Sequence, residues 1–288
     1  MSRYADVAAA LREPLLSTGS VPVLPLIVPL TDRRSQLETF TLPILACLKR
    51  DVPVDLVAEF ANPWSRAAAM AVVQAPANGE IRLIQLARAI FCAAADPFDP
   101  DSRAAGQVAT SELARLLPVH QVQAFVAMSQ SLPCLLANSW LALLHHPEEM
   151  RRLQTQPQLM PNAVEELLRY AGPAAAQFRR ARGDVEISGS RIAAGEVVLL
   201  NLAAANRDPA EFPEPDRLRL QRNPIRHLAF GAGAHACPGA GLIRMAAAVA
   251  TDLFLRHFPA AQLIESVPHQ RFAIRSLRSL KVLPGAPT

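Results

Sequence analysis

Apolar residues recur at intervals of three and four through most of this chain, the spacing that gives a helix one buried stripe. The pattern predicts helices over 4–16, stopped near Pro14; over 33–50; over 56–73; over 81–95, ended by Asp96 and Pro97; over 102–117, ended at Pro118; and over 161–170. A longer run, 119–146, predicts one extended helix kinked at Pro133, whose missing N–H breaks the ladder. Residues 21–30, with Pro22, Pro25 and Pro29, predict an extended loop, and Asn78–Gly79 a turn. After Pro173 the period changes. Residues 184–201 alternate and carry β-branched side chains between glycines, which predicts a hairpin. Residues 204–229 predict an ordered irregular segment, 239–258 a further helix and 272–283 strands. The expected fold class is mainly α with a minor β part, in a single domain over 1–288, with no internal repeat.

Composition narrows the function classes. Of 288 residues, 51% are hydrophobic and 19% charged, enough apolar mass for a sizeable core. The formal charge of +4 is spread along the chain without a Lys/Arg block, which argues against generic nucleic-acid binding. Lysine stands only at Lys49 and Lys281, so the positive charge is nearly all arginine. Arg3, Asp6, Arg12 and Glu13 interrupt any apolar leader, and 21–30 is too short to span a bilayer. The expectation is a cytoplasmic protein without a membrane segment. Of the four cysteines, Cys47, Cys92 and Cys134 fall in apolar helical runs, where free cysteine behaves as a small hydrophobe. No CxxC pair suggests zinc or an iron–sulfur cluster.

Cys237 has a different setting. Residues 227–244 read HLAFGAGAHACPGAGLIR, with Gly231, Gly233, Gly239 and Gly241 around the cysteine. Glycine lets a backbone approach a flat ligand closely and accepts positive φ. A helix predicted to begin just after Cys237 is expected to lower its thiol pKa. Taken alone, these residues equally describe a glycine-rich turn around a buried cysteine, and more weakly a phosphate loop.

Phe230, Gly231, Gly233, His235, Cys237 and Gly239 together meet the pattern F-G-x-G-x-H-x-C-x-G, which resembles the haem-binding signature of the cytochrome P450 superfamily. Glu166-Leu167-Leu168-Arg169, about seventy residues earlier, resembles the family's E-x-x-R, whose spacing puts both side chains on one helical face. The string 205–220 (ANRDPAEFPEPDRLRL) is similar to bacterial members. The resemblance implies haem b with Cys237 as axial thiolate ligand, and Gly231, Gly233 and Gly239 fitting the loop beside Phe230 to the ring. It implies Arg179, His227 and His235 as haem propionate contacts, and Arg217 as a third, structural partner of Glu166 and Arg169. Arg33 and Arg34 resemble the propionate-binding helix, with Pro29 where a His is usual.

The distal side departs from the family. Ala127-Met128-Ser129-Gln130-Ser131 falls where members carry A-G-x-(Asp/Glu)-Thr. Gln130 and Ser131 are the implied catalytic pair. A serine can still hydrogen-bond to a ligand, whereas an amide cannot relay a proton as a carboxyl does. Met128 stands in the place of a small glycine. The chain is also shorter than typical members. The expectation is a truncated version of the fold, with 1–146 a reduced distal, substrate-covering half and 147–288 a nearly intact proximal, haem-ligand half.

The implied function is a haem-thiolate monooxygenase acting on a small organic molecule. It would draw electrons from NAD(P)H through a ferredoxin- or flavodoxin-type partner. Two alternatives stay open: a haem-thiolate enzyme of another class (peroxygenase, dehydratase or isomerase), and a non-catalytic relative that stabilises a partner. A homo-oligomer covering exposed apolar surface is also possible.

Overall fold

The computed structural model describes residues 1–18, 33–48, 52–75 and 77–285, without the side chains of 33, 34, 42 and 77. The loop expected over 21–30 lies outside the described residues. Twelve α-helices occur among them. α1 (Tyr4–Arg12) leads into β1 (Leu16–Ser17). The helix expected over 33–50 is two short ones, α2 (Arg33–Thr39) and α3 (Thr41–Ala46), followed by β2 (Val54–Asp55). A π-helical turn, Leu56–Ala61, opens α4 (Asn62–Val73), and α5 (Glu80–Ala95) and α6 (Pro100–Leu116) pack on one another.

Prolines account for many of the helix starts. Pro100, Pro147 and Pro161 each stand in a first turn, where the missing N–H would have no partner anyway, whereas Pro63 and Pro133 each follow a π-helical turn. At α6 the Asp99 carboxylate also accepts from the backbone N–H of Asp101 and Ser102.

The long run 119–146 is helical throughout, but its irregularity precedes Pro133. α7 (Val119–Val126) passes through a π segment, Ala127–Ser131, into α8 (Leu132–His145). Within it the Leu132 N–H reaches back five residues to the Ala127 carbonyl. The extra residue absorbs the donor that Pro133 lacks. Ser129 Oγ donates to Phe125 O at 2.7 Å, and the Cys134 thiol to Gln130 O at 3.2 Å, so local side chains complete the bonding.

α9 (Pro147–Thr155) was not evident from periodicity. α10 (Met160–Ala171) then leads into the β part. β3 (Ala176–Ala181) lies between β1 and β6 (Val197–Asn201), antiparallel to both. The hairpin expected over 184–201 is shorter: only β4 (Val185–Ile187) and β5 (Ser190–Ile192) pair, and β6 goes to β3 instead. After α11 (Leu202–Ala205) the chain runs without regular structure, a 3-10 turn at Gly233–His235 apart, until α12 (Ala240–His257). β7 (Gln262–Pro268) and β8 (Leu277–Leu283) then join β2 in a third sheet.

The main core lies among α4, α5, α7, α8, α10 and α12. At its centre Phe60 stacks on Trp140 with centroids 5.1 Å apart, and Trp140 on Phe254 at 5.0 Å. A smaller apolar cluster joins α1, β1, β3 and α11 beside the cysteine loop. Among the described residues no helix is long and apolar enough to cross a membrane.

Candidate functional site

The site begins with two buried charges. Glu166 and Arg169 lie one turn apart on α10 and are both fully buried. Arg169 grips the carboxylate with two bonds, Nε to Oε2 at 2.7 Å and Nη2 to Oε1 at 2.8 Å. Its remaining donors reach the carbonyls of Asn206 (2.9 Å), Pro215 (2.8 Å) and Arg217 (3.3 Å). A buried ion pair is tolerable only when such extra bonds satisfy it, and here the irregular strand supplies them.

The third charged partner is Arg222, not Arg217. Arg222 Nε lies 3.1 Å from both Glu166 oxygens, and its other nitrogens donate to the carbonyls of Pro213, Glu214 and Arg217. Arg217 contributes only its backbone carbonyl. Its side chain is exposed and pairs with Glu214 at 2.7 Å. The segment 206–222 is thus wound around two guanidiniums, which explains its order without regular structure. The order passes on through Asn206, whose Oδ1 accepts from the Leu228 N–H at 2.7 Å.

That bond anchors the cysteine loop. Cys237 N–H donates to Phe230 O at 2.8 Å, closing the turn. Gly231 and Gly233 have φ of +69° and +70°, as their role requires. At Gly233 a Cβ would stand 2.7 Å from Leu11 O on α1, so glycine is needed there for space as well. Gly239 caps α12 and hydrogen-bonds toward the Cys237 sulfur through its N–H. The thiol pKa is nevertheless raised. Burial outweighs the Gly239 N–H and the Arg244 charge, so the lowering expected from the helix start does not prevail.

Cys237, Phe230 and His235 line one wall of a cleft holding about 950 Å³ of atom-free space, its open mouth included. Gln177 and Ile274 form another side, and Gln123, Ala127 and Ser131 from the distal helix face in from opposite. Ser131 therefore shares the cleft with Cys237. Gln130 does not: it lines a separate cavity with Cys134, because the π segment puts Ala127 and Ser131 on one face and Gln130 on the other. Met128 is fully buried in the core rather than beside the cleft.

Two buried polar groups near the cleft have unmet needs. Arg179 is 3% exposed, with bonds to Gln177 Oε1 (2.9 Å) and Phe178 O (3.0 Å), an unpartnered Nε and no carboxylate. Burial holds its pKa below the usual arginine value. His235 Nδ1 is likewise buried without a partner. An uncompensated buried cation is costly, and an incoming carboxylate would satisfy it. One thiol, a glycine-lined approach, a buried arginine and a free imidazole nitrogen fit a flat macrocycle with one axial ligand and acidic side chains.

His227 is directed elsewhere. Its Nε2 lies 3.1 Å from Glu165 Oε2, and Glu165 also binds Arg244 at 2.6 Å and 3.0 Å. Hydrogen bonds from His227 and Arg244 overcome burial and hold the Glu165 carboxyl at about 2. Arg244 also covers the Phe230 ring at 4.7 Å. Arg33 opens α2, which packs on α12, but its side chain lies outside the described ones. Sequence reasoning missed Glu165, Asn206 and Arg222. Only Glu165, adjoining Glu166 in a run of acids, carried any signal.

Residues 143–272 match the family model described as Cytochrome P450. Over 152 residues, 52% of this chain, the sequence is 45% identical to cytochrome P450 CYP107DY1 of Priestia megaterium, covering 37% of that protein. Over 122 residues it is 47% identical to the 20-oxo-5-O-mycaminosyltylactone 23-monooxygenase of Streptomyces fradiae, covering 42% of this chain and 29% of that one. Such matches span well under half the length of these curated relatives. In three dimensions the whole chain superimposes on the cytochrome P450 enzyme CxnD for C–S bond formation in chuangxinmycin biosynthesis, with a TM-score of 0.85, 22% identity and 88% of that chain covered.

Proposed function

The chain belongs to the cytochrome P450 superfamily, and from that premise we propose that it is a cytoplasmic haem-thiolate monooxygenase acting on a small organic molecule. Electrons would come from NAD(P)H through a ferredoxin- or flavodoxin-type donor. The observation that carries the reading is the cleft with Cys237 on one wall and Ser131 on the other. When bound, haem with a thiolate axial ligand activates dioxygen, electron donation from sulfur favouring O–O cleavage.

The chain's own residues have distinct tasks. Cys237 would hold the iron as thiolate, the metal's own charge offsetting the burial that raises the thiol pKa. The Gly239 N–H moderates the charge on sulfur. Arg179 and His235, with an unpartnered Nε and Nδ1, would receive the propionates. The turn closed by Cys237 N–H on Phe230 O would hold the sulfur in place. Ser131 offers its hydroxyl from the distal helix, and Ala127, Leu132 and Leu135 give the cleft an apolar wall there.

The test is the ferrous–CO spectrum of purified protein. A red-shifted thiolate-type Soret band is expected, and its loss in Cys237→Ala. Absence of haem from the parent protein would overturn the reading. One observation favours a second route: among the described residues no Asp or Glu lines the cleft, where a proton-relaying acid would be placed. Peroxide-supported turnover without an electron donor would establish that route, and strict dependence on NAD(P)H would exclude it.

A further inference from the structure

Behind the distal helix lies a second cavity of about 750 Å³, and its lining is strongly cationic. Arg66 of α4, Arg88 of α5, and His269, Arg271 and Arg278 of the C-terminal segment face it together. Among the described residues no Asp or Glu lines it. Among the described residues, none of Arg66, Arg88 and Arg278 makes an ion pair. Arg271 is held in place by the Phe91 ring, 5.5 Å away, and donates to the Cys92 sulfur at 3.5 Å, neither of which neutralises it.

Like charges gathered around one space repel, and the repulsion is felt locally. Burial and then the nearby Arg271, Arg278 and Arg88 depress the His269 pKa. The floor of the cavity adds neutral hydrogen-bonding groups. Gln130 contributes an amide from the π segment. Ser276 contributes a hydroxyl that is more than nine-tenths buried and has no oxygen or nitrogen partner, only the Cys134 thiol beside it. A buried hydroxyl without such a partner, sharing one cavity with four guanidiniums, is the complement of an oxyanion: fork-shaped cationic donors and a short neutral donor. Arginine suits phosphate in particular, through bidentate bonding.

We propose that this cavity is a binding site for a phosphate group, held by Arg88, Arg271 and Arg278 and seated on Ser276 and Gln130. The phosphate is either the free ion or a monoester carried by a larger molecule that extends through the open mouth of the cavity. The site is separate from the Cys237 cleft: Gln130 lines this cavity and Ser131 lines that one. It stands whether or not the haem reading does.

The experiment titrates inorganic phosphate and glycerol 3-phosphate separately into the purified full chain, at ionic strength fixed with chloride, reading heat and Tm. Saturable binding of at least one ligand is expected. Removing two charge-assisted contacts in R88Q/R278Q weakens it by about tenfold or more. Both side chains are exposed, so the variant should fold. Ser276→Ala should weaken binding less and leave Tm without ligand nearly unchanged. A stronger response to the ester identifies a carried phosphate, and equal responses the free ion. No response beyond chloride, or an undiminished response in the double variant, overturns the proposal.

Discussion

The two sides of the Cys237 cleft are held together by different means. On the proximal side charge is buried and fully paired. Glu166, Arg169 and Arg222 sit in the interior with a ring of backbone carbonyls around them. On the distal side the cohesion is apolar, through Phe60 and Trp140 stacked toward Phe254 of α12, and among the described residues Arg66 of α4 and Arg88 of α5 at its outer cavity have no acid. A buried polar network specifies one geometry at high stakes, since a half-satisfied network is worse than none. Apolar packing tolerates rearrangement provided volume is kept. The rigid side is the one that positions a ligand atom, and the adaptable side is the one that a substrate would meet.

The sharpest way to break this contrast is at the proximal knot. Glu166→Gln leaves Arg169 and Arg222 buried without a counter-charge and should cost roughly 3–5 kcal/mol, read by urea unfolding. Phe60→Ala removes an apolar partner at the seam and should cost a similar or smaller amount, about 3–4 kcal/mol, but without loss of haem from folded protein. If both variants lost haem equally, the division of labour would be wrong.

Gly233→Ala comes next. A Cβ there meets Leu11 O at 2.7 Å with φ at +70°, and about 1–3 kcal/mol of strain is expected, with a disturbed Soret band. Arg179→Met tests the unmet cation in the opposite sense. Without haem the variant should be at least as stable as the parent, because an uncompensated buried charge has gone. With haem it should release the cofactor faster to apomyoglobin.

The smallest effect concerns Glu165. Its folded pKa of about 2 lies below the ordinary 4.5, so its contribution is complete above pH 4.5 and is lost as pH falls toward 2. Glu165→Gln should therefore lower Tm at neutral pH and flatten the fall of Tm across that window. A parallel downward shift at all pH values would remove the carboxylate from the explanation.

Much of the proximal side was legible through the resemblance carried by fixed spacings: Glu166 and Arg169 three apart on a helix, and glycines at set intervals around Cys237. What was not legible depended on paths through irregular chain. Arg217 and Arg222 are both arginines in a proline-rich stretch, and no periodicity says which turns inward. β6 pairs with β3, where Ala176 to Arg180 offer it a longer ladder than the short hairpin does. α9 escaped notice because its buried positions include Glu149, which pairs with Arg152 and accepts from the Leu220 N–H. On the distal side the π segment shifted Gln130 away from the cleft, and a helical wheel of regular period cannot anticipate that.

Gly233 rests on Leu11, Tyr4 Oη donates to Arg226 O at 2.6 Å, and the Tyr4 N–H donates to Asp208 at 2.7 Å. The cysteine loop is thus closed by chain more than two hundred positions away in sequence. Loop closure on that scale is slow, because entropy is lost before contacts repay it. The first helix therefore acts as a late latch. Cofactor capture in a refolding experiment should follow helix formation, and destabilising α1 alone should delay it further.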